Sequence, residues 1–197
     1  MKRLFTTKTI AGTGLLTAIM IVLQVIGNFV AIGPISINLS LIPIAIGAIL
    51  FGPLSGLFLG LVNGVMCILA PSTLSFFMPV NPLGTVLICL IKTTFAGFFS
   101  GLFYFLLKDK NKTVGALIAS LSLPIINTGL FAIGCFTFFM PILEEYASSY
   151  GNIYGFLFLG LIGWNFVFEF LTSLILSPTV IKVMEYANKS HSKKRLN

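Results

Sequence analysis

The sequence predicts an all-α membrane protein with six transmembrane helices and both termini in the cytoplasm. The prediction rests on the composition, on six apolar runs and on the placement of the basic residues. Of the 197 residues, 57% are hydrophobic and only 9% are charged, whereas a soluble globular domain carries about 25% charged residues. Most side chains must therefore face lipid or other apolar helices. No linker or clear internal repeat divides the chain, so residues 1–197 form one integral-membrane domain.

Six apolar runs are separated by short breaks that contain proline, glycine, serine or charged residues. The predicted spans are 9–31, 39–50, 54–70, 83–107, 114–140 and 153–180. A helix needs about 20 residues to cross the hydrocarbon core, so the second span is unusually short, and it contains Pro43. The sequences PSTLSFFMPVNP (71–82) and PILEEYASSYGN (141–152) are predicted to be loops. The first of them is placed to cover the outer side of the protein.

The basic residues determine the predicted topology. Eleven of the twelve lysines and arginines lie in three patches: Lys2, Arg3 and Lys8; Lys108, Lys110 and Lys112; and Lys182, Lys189, Lys193, Lys194 and Arg195. Six crossings place all three patches on one side and the loop with Glu144 and Glu145 on the other. By the positive-inside rule the basic side is cytoplasmic. Lipid headgroups account for the net charge of +7, so no nucleic-acid partner is expected.

Several chemistries lack the residues they need. Cys67, Cys89 and Cys135 lie in apolar runs without a CxxC motif, and His191 lies in the basic tail, so neither a metal site nor a disulfide is expected. The chain has no phosphate-binding GxxxxGK[ST] motif and cannot hydrolyse ATP itself. Glu169 is the only carboxylate in an apolar run, which disfavours an intramembrane hydrolase and an ion-coupled permease. We expect no catalytic residue and no cofactor.

Lys92 is the one basic residue inside an apolar run. It follows Asn81 by eleven residues, roughly 15 Å along a helix, and Thr85 lies on the same helical face two turns earlier. A cation at that depth is costly enough to indicate function. Two interpretations are open. Lys92 binds an anionic or carbonyl-bearing ligand, or it forms a structural ion pair with Glu169.

The fifth and sixth spans carry further polar residues. Asn127 follows Pro124 and must bond to backbone, to another helix or to a ligand. Asn165 and Glu169 are four residues apart and share a helical face. Trp164, the only tryptophan, either stacks on a flat ligand or fills the core. A few polar groups in an apolar pocket are typical of a small-molecule site. The predicted substrate-binding residues are Lys92, Asn127, Asn165, Glu169, Trp164, Asn81 and Thr85.

Small residues repeat along two other segments. Ala11, Gly14 and Ala18 lie on one face of the first helix, where they either dock a partner protein or pack against helices of the same chain. In FGPLSGLFLGLVNG, the tripeptide FGP indicates a tight cytoplasmic turn. The spacing of Gly52, Gly56, Gly60 and Gly64 indicates close helix packing.

The segments ISINLSLIPIAIGAILFGPLSGLFLGLVNG and NPLGTVLICLIKTTFAGFFSG resemble the substrate-binding S components of energy-coupling factor (ECF) vitamin transporters. The resemblance covers most of the chain. It implies a multi-pass protein of the bacterial plasma membrane that captures a vitamin from outside. It also implies docking, through the small face at Ala11, Gly14 and Ala18, on a transmembrane coupling protein driven by two cytosolic ATPases.

The resemblance leaves the vitamin open. Riboflavin S components typically carry an aspartate before Ile-Pro in this segment, whereas Leu41 precedes Ile42 and Pro43 here. The motifs of thiamine and biotin S components are absent. Lys92 favours an anionic substrate, so pantothenate is the first choice and riboflavin or folate the alternatives. A stand-alone small-molecule permease is the competing class of protein.

Overall fold

The computed structural model describes residues 6–29, 31–32, 35–36, 38–175 and 182. It confirms the all-α class. The helices are α1 (Thr7–Asn28), α2 (Leu41–Phe51), α3 (Pro53–Ile68), α4 (Pro82–Leu107), α5 (Lys112–Phe138), α6 (Met140–Ala147) and α7 (Ile153–Ile175). Between α1 and α2, strands β1 (Ala31–Ile32) and β2 (Ile35–Ser36) form a short antiparallel pair.

Among the described residues, four helices are long and apolar enough to cross a membrane: α1, α4, α5 and α7. Helices α2 and α3 are also apolar but have only 11 and 16 residues. At 1.5 Å per residue they measure about 17 Å and 24 Å, less than the roughly 30 Å of the hydrocarbon core. The predicted end of the last span, 176–180, lies outside the described residues, as do most residues of the two terminal basic patches.

The turn between α2 and α3 requires a glycine. Gly52 has a φ of +96°, and its N–H donates to the carbonyl of Ala48 at 3.1 Å. Only glycine adopts that conformation without strain. Pro53 then occupies the first turn of α3, where its missing N–H costs nothing and its φ already suits the helix. The tight turn predicted from FGP is therefore confirmed.

Helices α3 and α4 approach until their backbones touch. A Cβ atom added at Gly56 would overlap the carbonyl of Gly97, and one added at Gly60 would overlap the carbonyl of Thr93. Gly64 faces Thr93 in the same way. Three of the four glycines in the predicted stripe thus pack against α4, while Gly52 belongs to the turn. Small residues at the interface allow membrane helices to approach this closely and gain van der Waals contact.

The substitution Gly60→Ala is expected to destabilise the fold by about 1–3 kcal/mol, because the added methyl group must push the α4 backbone away. Gly129→Ala is the matched control, since a Cβ atom there meets open space and alanine favours a helix by up to about 1 kcal/mol. Thermal unfolding in detergent should separate the two variants. Equal midpoints would contradict the proposed backbone contact.

Two segments predicted to be loops are helical instead. Residues Thr73–Phe77 form a π-helical turn, and α6 occupies most of the second segment. In both cases apolar side chains join one buried hydrophobic cluster, in which Phe77, Ile142 and Leu143 pack with Phe139 and Phe156. Burial of these side chains outweighs the proline and serine residues that indicated loops. Helix α7 also contains a π-helical stretch, Phe156–Ile162.

Candidate functional site

A cavity lies where α1, α4, α5 and α7 converge beneath the connection between α3 and α4. Aromatic side chains, Phe77, Phe131 and Phe139, form part of its wall. Its polar lining residues are Gln24, Asn38, Ser72, Thr73, Thr85, Lys92, Asn127, Thr128, Asn165 and Glu169. Apolar side chains combined with convergent polar groups are typical of a small-molecule site.

Five of the seven predicted substrate-binding residues line this cavity: Thr85, Lys92, Asn127, Asn165 and Glu169. The helix spacing explains why they meet. Thr85 and Lys92 are seven residues apart on α4, and Asn165 and Glu169 are four apart on α7, so each pair shares a face. Asn127 is brought to the same place from α5, one turn after the proline inside that helix.

Glu169 is the most deeply buried charged side chain of the cavity, with 3% of its surface exposed. The Asn165 amide donates to Oε1 at 3.2 Å, and the Asn127 amide donates to Oε2 at 3.5 Å. The backbone N–H of Asn38 also faces this carboxylate, and Lys92 is close enough to attract it electrostatically. A buried carboxylate needs such donors because it has lost its water.

Lys92 is partly buried, and its ammonium group lies over the ring of Phe131, 4.6 Å from the ring centroid. This cation–π contact stabilises the charge without using its N–H donors in hydrogen bonds. The direct contacts of Lys92 and Glu169 are thus different ones, an aromatic face and two amides.

Three amide oxygens on the cavity wall have no hydrogen-bond partner among the described residues: Gln24 Oε1, Asn127 Oδ1 and Asn165 Oδ1. Gln24 was not among the predicted site residues. The available signal was an amide side chain in the largely apolar second half of α1, which the structure buries to 2% exposure. Asn38, which is also buried against the cavity, was missed because it lies in a break between spans.

Two predicted site residues lie elsewhere. Asn81 caps α4: its side-chain oxygen accepts from the Gly84 N–H at 2.8 Å, and its amide donates to the Phe138 carbonyl at 3.4 Å. Trp164 is 63% exposed, so it neither fills the core nor faces the cavity. Adjacent helical residues point about 100° apart. Because Asn165 faces the cavity, Trp164 is turned away from it.

Thr85 lines the cavity, but its hydroxyl group is already used. It donates to the backbone carbonyl of Asn81 at 2.8 Å, so only its oxygen lone pairs are available to a ligand. Cys67 and Cys89 line the same cavity, and together with Cys135 they are buried free thiols that pack in one hydrophobic cluster.

The small-residue face of α1 points away from the rest of the chain. Ala11, Gly14 and Ala18 are exposed, and a Cβ atom at Gly14 would meet open space. The opposite face of α1, with Leu16, Met20 and Gln24 among others, is the buried one. Thr13 links it to α3 through a hydroxyl–hydroxyl bond of 2.7 Å with Ser55. Within the described residues, the stripe does not take part in packing.

Comparison with known proteins identifies the family. No curated protein and no solved structure gives a significant match. Residues 8–184, which include every helix but the first residue of α1, match the family described as ECF transporter, substrate-specific component. The match covers most of the chain and agrees with the apolar helices and the polar cavity between them. The chain therefore belongs to the family of substrate-specific components of ECF transporters.

Proposed function

We propose that this S component captures a small water-soluble vitamin from outside the cell in the Lys92 cavity. It then delivers the vitamin by docking on the transmembrane coupling protein and the two cytosolic ATPases of an ECF module. The observation that supports binding at this place most directly is the combination of a partly buried ammonium group with three unpartnered amide oxygens. A solute with complementary groups would satisfy all of them.

Pantothenate is the vitamin that we propose first. It carries one carboxylate, which matches the single ammonium group of Lys92, and it carries two hydroxyls and one amide N–H. Those three donors equal in number the free oxygens of Gln24, Asn127 and Asn165. Riboflavin and folate remain the alternatives. The flat ring of riboflavin would profit from stacking on an indole, but Trp164 faces away, and folate carries two carboxylates.

Binding must enlarge the cavity. Its free volume is about 60 Å³, enough for a few water molecules, whereas small-molecule pockets measure roughly 300–1,000 Å³. The π-helical turn Thr73–Phe77 contributes Thr73 and Phe77 to the wall. Since it is a short element at the end of the cavity where α4 begins, we infer that it moves when the vitamin enters.

Docking is proposed to use the exposed stripe Ala11, Gly14 and Ala18. Beside the stripe, a groove of about 760 Å³ runs between α1, the α2–α3 turn and the end of α4, lined by Gly14, Phe51 and Phe58 among others. Small residues next to an apolar groove let a partner helix approach closely. The occupant that we propose is a helix of the coupling protein.

The proposed topology has six crossings of a bacterial plasma membrane, with both termini and the α4–α5 turn inside. In intact cells, a membrane-impermeant maleimide should label Glu144→Cys, and it should label Lys110→Cys only after the membrane is permeabilised. The wild-type chain, whose three thiols are buried, provides the background. Labelling of Lys110→Cys in intact cells would contradict this orientation.

The function is tested with the purified chain in lipid vesicles. We expect it to bind radiolabelled pantothenate without concentrating it, because it lacks a nucleotide-binding motif and needs the ATPases for energy. Addition of the coupling protein, the two ATPases and internal ATP should produce uptake. Accumulation by the chain alone would instead identify a stand-alone permease.

A further inference from the structure

We propose that Glu169 is a positioning residue that sets the polarity of the cavity wall, and that the cavity therefore selects a ligand with at least two N–H or O–H donors. The inference rests on the proposed function, since it describes the substrate class of the same site. Glu169 acts through Asn127 and Asn165, and these asparagines contact the ligand.

Glu169 accepts a hydrogen bond through each of its two carboxyl oxygens. Each oxygen of Glu169 takes the amide nitrogen of one asparagine, Asn165 at 3.2 Å and Asn127 at 3.5 Å. In a planar amide the C=O and C–N bonds diverge from the same carbon, so the oxygen and the nitrogen point in different directions. Both Oδ1 atoms must therefore face away from Glu169, and both are buried without a partner in the described part of the chain.

Gln24 provides the same arrangement independently. Its Nε2 donates to Asn28 Oδ1 at 3.3 Å, one helical turn further along α1. Its Oε1 is consequently directed away from that bond and is buried without a partner among the described residues. Three helices thus each carry, on a residue that lines one cavity, a buried acceptor without a partner in the part of the chain that the structure describes. Buried acceptors of this kind are costly until a donor reaches them.

The wall also carries donors, namely the Lys92 ammonium group and the hydroxyls of Ser72, Thr73, Thr85 and Thr128. The ammonium group of Lys92 lies over Phe131 on the α4–α5 side, and the Thr85 hydroxyl is already bonded to the Asn81 carbonyl. A ligand that fits carries an anion or carbonyl for Lys92 and hydroxyl or N–H groups for the amide oxygens. An ether, an ester or an aromatic base without donors would leave the acceptors unpaired.

The variant Glu169→Gln tests the positioning role. Glutamine has one acceptor and one donor, so one asparagine would be free to turn its nitrogen into the cavity. Calorimetry measures the affinity for D-pantothenate and for an analogue in which both hydroxyls are replaced by hydrogen. The ratio of the two affinities is the discrimination. We expect the wild type to bind the analogue roughly 100-fold more weakly, about tenfold for each unpaired acceptor. In Glu169→Gln the ratio should fall to about tenfold, because only one acceptor would then remain unpaired with the analogue.

The ratio of the two affinities distinguishes a positioning role of Glu169 from a general loss of structure in the cavity. Glu169→Asp, which keeps an acceptor-only carboxylate, is expected to bind both compounds more weakly but to retain the discrimination. If Glu169→Gln lowers both affinities by the same factor, the positioning role is wrong. If the wild type binds the dideoxy analogue as tightly as pantothenate, the donor requirement is wrong, while the proposed vitamin capture stands.

A failure of the proposed function gives a different result. In that case the wild type binds none of pantothenate, riboflavin and folate. Mass spectrometry of the molecule that co-purifies with the chain then tests the inference separately. A molecule with two or more N–H or O–H donors would support the donor requirement, and one without such donors would overturn it.

Discussion

Replacing Lys92 with methionine is expected to weaken pantothenate binding by about 10- to 100-fold. The variant keeps most of the side-chain volume and removes the ammonium group that now lies 4.6 Å from the Phe131 ring centroid. A hydrogen bond to a charged group contributes about 1.5–3 kcal/mol, and each 1.4 kcal/mol corresponds to a factor of ten in affinity. Isothermal titration calorimetry on the detergent-purified protein measures the change.

Two controls test whether the loss of affinity comes from the contact between the Lys92 ammonium group and the ligand carboxylate. Pantothenyl alcohol has the same skeleton without the carboxylate, so the wild type should prefer the acid and Lys92→Met should not. Lys108→Met removes a lysine at the end of α4, where its ammonium lies over the ring of Phe105 outside the cavity, and should leave binding unchanged. If Lys92→Met keeps full affinity while the midpoint of thermal unfolding falls, Lys92 is instead a structural partner of Glu169.

Ala18→Phe is expected to abolish ATP-driven uptake, with at least a tenfold loss, while leaving vitamin affinity unchanged. Ala18 is exposed on the face of α1 that turns away from the other described helices, so a phenyl ring there should not disturb their packing. It would, however, hold a partner helix away from the stripe, and membrane helix association depends on close packing. Uptake into vesicles with the complete ECF module and calorimetry on the S component alone separate the two effects.

Ile19→Phe is the matched control. Ile19 is the next residue, is also exposed, and points about 100° further round the helix. The same phenyl ring should therefore leave uptake intact. Loss of vitamin binding in Ala18→Phe would show that the stripe packs inside the protein, and loss of uptake in both variants would show that α1 tolerates no added bulk.

The positions of the long helices were predictable because they depend on local composition. The observed bounds of α4 and α5 differ from the predicted spans by no more than two residues. A stretch of about 20 apolar residues has few alternatives to a helix in lipid, where every backbone group must bond within its own segment. The helical turns of Thr73–Phe77 and α6 were not predictable in this way. They form because distant residues such as Phe139 and Phe156 bury their apolar side chains.

Most polar residues of the candidate site could be predicted from the sequence, but which side chains face the cavity could not. Lys92, Asn127, Asn165 and Glu169 stand out because polar groups in apolar helices are costly and need a partner. Gln24 is also a polar residue in an apolar helix, but only the packing of α1 places it at the cavity. Trp164 was assigned to the site or the core by residue type alone, and its direction depends on the rotation of α7.

The sequence by itself determined the membrane class, the helix positions, the FGP turn and the set of costly polar residues, because each follows from local composition and spacing. Only the tertiary structure decided which of those residues meet, which face of α1 stays exposed and which oxygens lack a partner. These properties depend on how each helix is rotated about its axis. That rotation is set by long-range contacts, such as those of Gly56 and Gly60 with the α4 backbone, which no local pattern contains.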